Sequence, residues 1–399
     1  MKVVLAYSGG LDTTVSISLL TERLNAEVIT VTVDVGQRED FKEIENKAYS
    51  AGAIKHYTLH LIDEFADSYI QPCIYMNCSY EERYPLGTAL ARPLIAKALC
   101  DTARREGADA IAHGSTSKGN DQVRFNLTLM AECPDFKIIT PVRHWKLTRE
   151  WELEYARKRG LPVKLDSSKK YSIDENLWSR SIEGGVLDDQ SSFPPEDAFE
   201  WTVAPEKAPE EPVVLEIEFL EGRPVRVNDV EGSLSTLVRT LNEIGGKHGI
   251  GRIDHIENRL VGIKSREVYE APAATILLLA HKELEKTVYT PREYRFKHLL
   301  DFEWSDLVYQ GLWYEPLRER IQRVGAEMNK LVTGRVWLKA YKGSVTVLGR
   351  ESPYSLYRRE VADYDKGWYP SEEEAEGFIR IWGMHSIQAH LLRCKRNSV

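Results

Sequence analysis

The apolar run Val3-Val4-Leu5-Ala6 passes directly into Tyr7-Ser8-Gly9-Gly10-Leu11-Asp12-Thr13-Thr14, and an apolar-periodic segment follows as far as Leu24. This pattern reads as a buried strand breaking into a glycine turn and then a helix. At such a place backbone N–H groups and hydroxyls converge on an anion. The feature therefore points to nucleotide chemistry on an α/β sheet.

The spacing separates this turn from better-known phosphate loops. No G-x-x-x-x-G-K-S/T occurs, because the glycines are adjacent, hydroxyls flank them, and Asp12 stands where a P-loop approaches its lysine. A P-loop kinase or GTPase is thereby disfavoured. Ser-Gly-Gly-x-Asp-Ser/Thr resembles the loop of ATP pyrophosphatases, which split ATP between the α- and β-phosphates, transfer AMP to a carbonyl oxygen and release pyrophosphate. An ordinary turn followed by an N-cap accommodates the same residues.

The next part of the chain, to about residue 165, alternates strands with amphipathic stretches. Val28 to Val33, Ile54 to Leu59, Ala108 to Ala112 and Ile138 to Val142 read as strands, with helices near 40–51, 88–106 and 148–159. Such alternation favours a doubly wound parallel sheet, with ligands outside the carboxyl ends of its strands. Beyond Leu165 comes a polar stretch around Tyr171 to Gly185, then a Pro/Glu-rich surface connection from Ser192 to Pro212. An α+β region follows: strand-like Val213 to Val227, helices at Leu234 to Ile244, Ala273 to His281 and Glu293 to Gln310, and a hairpin from Arg335 to Leu348 around Lys342-Gly343. The last stretch, 371–396, is a helix with Glu at its start and Lys/Arg at its end, which suits the macrodipole. The expected division is 1–165, 166–365 and 366–399, the last a helix for oligomerisation.

Bulk properties narrow the class. The net charge is −8 over 399 residues, which disfavours nonspecific nucleic-acid binding and favours a small substrate. The five cysteines, Cys73, Cys78, Cys100, Cys133 and Cys394, lack C-x-x-C spacing, so neither a disulfide framework nor a zinc site is expected. No secretory leader or membrane-spanning run is visible, so the expected compartment is the cytoplasm.

Three further clusters carry polar chemistry. His113-Gly114-Ser115-Thr116-Ser117-Lys118-Gly119-Asn120-Asp121-Gln122-Val123-Arg124 follows a buried strand; Gly114 would admit a ligand to the backbone, and Arg124 could hold a carboxylate bidentately. A polar loop with an Asx cap is the plain alternative. Lys169 to Gly185 reads equally as a capped amphipathic helix ending in glycine. Ile244-Gly245-Gly246-Lys247-His248-Gly249-Ile250-Gly251-Arg252, continuing to Tyr269, could be an anion nest or a plain turn.

Taken in order, and with Tyr84-Pro85-Leu86-Gly87-Thr88-Ala89-Leu90-Ala91-Arg92-Pro93, these segments resemble the argininosuccinate synthetase family. The resemblance spans positions 3 to about 281. It implies an enzyme joining citrulline to aspartate with ATP through citrullyl-AMP, giving argininosuccinate, AMP and pyrophosphate in arginine biosynthesis. It also implies a nucleotide-binding domain of ATP pyrophosphatase type, a synthetase domain and a homotetramer. Carried over, the family pattern puts ATP on Ala6, Tyr7, Ser8, Gly9, Gly10, Leu11, Asp12, Thr13 and Thr14, near Val33, and on Gly114. Aspartate falls to Thr116, Asn120 and Asp121. Citrulline falls to Tyr84, Thr88, Asn120, Arg124, Ser172, Ser181, Glu257 and Tyr269. Two positions depart from the pattern: Thr14 replaces a common serine and keeps its hydroxyl, whereas Ala89 replaces a serine and loses one.

Mg²⁺ is expected with the ATP phosphates and not as a resident metal. Asp12 is the candidate catalytic carboxylate near that ion or the ureido group, and Lys118 a weaker phosphate contact. Two other readings compete. A GMP-, NAD- or asparagine-synthetase-like enzyme would draw ammonia from a glutaminase, of which no segment is visible. A noncatalytic ATP sensor would need only the first domain.

Overall fold

The first strand, β1 (Lys2–Ala6), carries Val3, Val4 and Leu5 with no exposure at all, as a central strand covered on both faces must. The computed structural model describes residues 1–116, 119–163, 170–363 and 371–396. Helix α1 (Leu11–Leu24), β2 (Glu27–Asp34), α2 (Phe41–Ser50), β3 (Lys55–His60), α3 (Gly87–Glu106), β4 (Ala110–Ala112), α4 (Asp121–Glu132), β5 (Lys137–Ile139) and α5 (Arg149–Arg159) follow. The five strands are parallel, in the order β3-β2-β1-β4-β5. Because the winding reverses between β1 and β4, a ligand crevice opens at their carboxyl ends. Tyr7 to Gly10 and the segment starting at His113 emerge there.

Two local features of this sheet differ from expectation. The fifth strand stops at Ile139, since Pro141 opens a short helix, Pro141–His144, where its missing N–H costs nothing. Asp121 to Glu132, read only as part of a polar cluster, forms α4, so Arg124 sits on a rigid element.

The hairpin β6 (Ser172–Glu175) and β7 (Arg180–Glu183) occupies the stretch for which a capped helix was one reading. Its turn is set by Asn176, whose Oδ1 accepts from Trp178 N (2.9 Å) and Ser179 N (3.2 Å). The buried Trp178 donates its indole N–H to the Pro85 carbonyl (2.8 Å), fixing the tip against the start of α3.

A second sheet is antiparallel, β10-β9-β8-β13-β14, built from β8 (Val213–Leu220), β9 (Arg223–Val227), β10 (Val230–Glu231), β13 (Gly334–Tyr341) and β14 (Ser344–Glu351). Lys342-Gly343 forms its expected turn. Helices α6 (Leu234–Lys247), α7 (Pro272–Val288), α8 (Pro291–Tyr309) and α9 (Pro316–Asn329) accompany it. A capping box, Thr290 with Glu293, starts α8. The third sheet, β11-β12-β7-β6, includes β11 (Arg252–Asn258) and β12 (Lys264–Glu270). One apolar core runs through Val4, Leu94, Leu237, Leu277 and Val336. In the fourth polar cluster, Gly245 and Gly246 lie buried in the last turn of α6. A Cβ on Gly246 would come within 2.1 Å of the Trp201 carbonyl, so this diglycine permits close packing.

The cysteines overturn the expectation of unpaired thiols. Disulfides join Cys73 to Cys78 and Cys100 to Cys133, while the Cys394 sulfur is exposed, 3.5 Å from His390 Nε2. The second pair forms because α3 packs along α4, bringing Cα atoms 33 positions apart to 5.9 Å. Spacing along the chain does not announce such a pair.

Contacts divide the chain into Met1–Tyr354 and Ser355–Val399. The second unit holds α10 (Glu372–Arg396), which has glutamates in its first turn, Arg393, Lys395 and Arg396 in its last, and no buried residue. Among the described residues no helix is long and apolar enough to cross a membrane.

Candidate active site

A cleft of about 1320 Å³ lies over the carboxyl ends of β1 and β4. The turn after β1 forms one wall. Gly9 adopts φ +70°, a conformation in which a side chain is strained, and a Cβ there would stand 3.2 Å from Ile44. Gly10 is the N-cap of α1 and supplies no side chain to cap it, so N–H groups of the first turn face the cleft without that partner. The hydroxyls of Ser8 and Thr13 lie 3.3 Å apart, and Ser8 Oγ accepts from Gly10 N at 3.4 Å. Gly114 completes this wall: a Cβ would stand 3.0 Å from Thr13 Cγ2, which shows how closely the two loops approach.

Of the residues assigned to ATP, Ala6 through Thr13, Val33 and Gly114 line the cleft. Thr14 does not: it is fully buried, with its hydroxyl 3.1 Å from that of Tyr7, and braces the turn from beneath. The Val33 carbonyl accepts from Gln37 Nε2 (2.9 Å). Asp12 faces the cleft, and Glu152 of α5 lies near it. Burial, and then the Asp12 charge, push the Glu152 carboxyl up to about 8. Lys118 lies outside the described residues.

The opposite wall is made of side chains already engaged with one another. Tyr84, Thr88, Thr116, Asn120, Asp121, Arg124, Ser172, Ser181 and Glu257 all line the cleft. Strand pairing places Ser181 beside Tyr269. Tyr269 itself is buried behind the wall, stacked on Tyr84 at 4.6 Å, with its hydroxyl 2.9 Å from Glu257 Oε2 and 2.8 Å from Glu267 Oε2. The Tyr84 hydroxyl accepts from the N–H groups of Thr88 (3.0 Å) and Ala89 (3.3 Å), capping α3, and burial pushes its own ionisation up to about 12.

Charge is arranged in two groups. Asp121 sits between Arg92 Nε (2.8 Å) and Arg124 Nη1 (3.0 Å). Burial raises the Asp121 carboxyl, but the two guanidiniums outweigh it and hold the group below its usual range. Arg92 also pairs with Asp174. In the second group, Arg259 faces three glutamates: it pairs with Glu183, reaches Glu267 at 2.6 Å and Glu257 at 3.7 Å. Burial first, then the charges of Glu257 and Glu183, raise the Glu267 carboxyl to about 8. This excess of carboxylates suits a cationic α-ammonium.

Sequence reasoning missed Arg92, Glu267 and Tyr309. Arg92 stood inside the Tyr84-to-Pro93 motif and so carried a signal. Tyr309, at the end of α8, carried none.

The chain is similar to known proteins over almost its whole length. A family model described as the arginosuccinate synthase N-terminal HUP domain fits residues 2–162, and one described as the arginosuccinate synthase C-terminal domain fits residues 171–389. The argininosuccinate synthase of Pyrobaculum aerophilum is 61% identical over 97% of this chain and 98% of its own length. That of Hyperthermus butylicus is 61% identical over 98% of each chain. The enzyme of Pyrococcus furiosus is 55% identical, covering 98% of this chain and 94% of its own.

Proposed function

The chain belongs to the argininosuccinate synthase family, and from that premise we propose how its cleft joins citrulline to aspartate at the expense of ATP. The observation that carries the reading is one crevice holding both an anion-receptive helix start and a wall of carboxylates, arginines and hydroxyls. Residues 1–165 supply the nucleotide side and most of the amino-acid side, to which 166–365 add Ser172, Ser181, Glu257 and Tyr269.

The phosphates lie on the Ser8–Thr13 turn, where the N–H groups of α1 and the hydroxyls of Ser8 and Thr13 stabilise charge, and Gly114 leaves room for the nucleotide. Citrulline is held along Thr88, Asn120, Arg124, Ser172, Ser181 and Glu257, with Tyr84 and Tyr269 fixing the wall behind. Its ureido oxygen attacks the α-phosphorus. The bond to the bridging oxygen breaks, pyrophosphate leaves, and citrullyl-AMP forms. Aspartate at Thr116, Asn120 and Asp121 then presents its amine to the ureido carbon; the new C–N bond replaces the C–O bond to AMP, and the amine gives up a proton.

Positioning alone can contribute on the order of 7–11 kcal/mol, so no covalent enzyme intermediate is required. On the phosphate side the cleft is lined by the carboxylate of Asp12 and, farther along, by Glu39, Asp40 and Glu43. Asp12 would hold Mg²⁺ arriving with ATP, and the ion would supply neutralisation of phosphate charge there. We further read the enzyme as a cytoplasmic homotetramer, supported by the exposed Phe378, Ile379, Ile381 and Trp382 on α10.

The test is pyrophosphate release dependent on ATP, citrulline and aspartate together. Release with ammonia or glutamine in place of aspartate, or nucleotide binding without turnover, overturns the reading.

A further inference from the structure

Tyr309 does not line the cleft, yet it touches Asn120, Arg124 and Glu257 of the amino-acid wall. Its hydroxyl accepts the Asn120 Nδ2–H (2.9 Å) and lies 3.1 Å from Glu257 Oε1 and 3.0 Å from the Asn258 carbonyl. With one proton to give, it donates to one of those two oxygens at a time. Its own carbonyl accepts from Nε (3.1 Å) and Nη2 (3.0 Å) of Arg124, and the Arg124 guanidinium stands 5.1 Å from the centre of its ring. Tyr80 stacks on the ring at 3.4 Å and Tyr84 meets it edge-on at 6.3 Å.

These contacts decide orientation. Asn120 Oδ1 accepts from Leu260 N (3.0 Å), so its amide has one way round, with Nδ2 toward Tyr309. The hydroxyl then passes a directed chain of hydrogen bonds from Asn120 to Glu257, while the backbone of the same residue aims Arg124. Three side chains, drawn from the start of α4 and from β11, take their geometry from the last residue of α8.

Resting on the citrulline and aspartate reading above, we propose that Tyr309 is a positioning residue for citrulline. It sets Asn120, Arg124 and Glu257 in register without touching the substrate. Removing the hydroxyl leaves two buried polar groups short of a shared partner, whereas the ring, its stacking and its carbonyl remain.

The experiment is steady-state kinetics of Tyr309→Phe with each substrate varied in turn. The expected result is a rise of about tenfold in the KM for citrulline, with the KM for ATP and the thermal midpoint nearly unchanged. A double-mutant cycle with Glu257→Gln should show less than additive losses, since the pair acts through one bond. A citrulline KM within about twofold of wild type, an equal loss toward all three substrates, or strict additivity overturns the proposal. Should Tyr309→Phe fail to fold, Tyr80→Leu, which loosens the ring from its other face, must raise the citrulline KM in the same selective way. The underlying reading fails differently: wild-type protein would then release no pyrophosphate with citrulline and aspartate.

Discussion

The two walls of the cleft are built on opposite plans. The phosphate wall is mostly backbone: adjacent glycines, a helix start without a side-chain cap, and hydroxyl contacts of 3.3–3.4 Å. The amino-acid wall is mostly side chain, held by contacts of 2.8–3.1 Å among Asp121, Arg92, Arg124, Asn120 and Tyr309. Under the proposed reading an anion would complete the first wall. The second is held by its own hydrogen bonds, so under the same reading less freedom would be lost on binding. On that reading, one cleft would recognise a polyanion generically and a neutral ureido group by fixed geometry.

The largest effect should come from the phosphate wall. Asp12→Ala should lower citrulline-dependent ATP–pyrophosphate exchange by about 10³-fold while circular dichroism stays unchanged; persistent exchange would take Asp12 out of the mechanism. Next comes Arg124→Lys, which loses the forked grip on the Tyr309 carbonyl. It should raise the citrulline KM by about 10²-fold and leave ATP binding intact. An equal loss of ATP affinity would erase the distinction between the walls.

A smaller, structural effect is expected of Gly87→Ala. The added Cβ would stand 1.9 Å from Ser179 Oγ, pushing away the hairpin that carries Ser172 and Ser181. A citrulline KM about tenfold higher and a stability loss of roughly 1–3 kcal/mol should follow, read from kinetics and urea unfolding. The smallest effect concerns Glu267, whose carboxyl rises from 4.5 to about 8 through burial beside Glu257 and Glu183, with Arg259 opposing. Folding favours its protonated form, so that contribution is full below pH 4.5 and disappears as pH rises through about 8. Glu267→Gln should therefore flatten the fall in melting temperature between about pH 5 and 8 by a few degrees.

Legibility in the sequence followed locality. The strand, diglycine turn and helix at residues 2–24 were readable because four apolar residues and two glycines are contiguous, and the Lys342-Gly343 hairpin because its turn chemistry is local. The hairpin β6–β7 was open to a helical reading because its conformation is set by distant partners, β12 alongside and Pro85 beneath Trp178. Most of the assigned site residues came to one cleft, since they belong to motifs. Tyr309 was invisible, since its partner Arg124 lies 185 positions earlier and nothing around it forms a motif.

The cystine between Cys100 and Cys133 turns the intervening chain, β4 and α4 included, into a closed covalent ring. Thr116, Asn120, Asp121 and Arg124 all lie within that loop. A protease nick anywhere inside it would leave both fragments tethered, so the segment proposed to contact substrate could not depart from the molecule until a reductant had opened the ring.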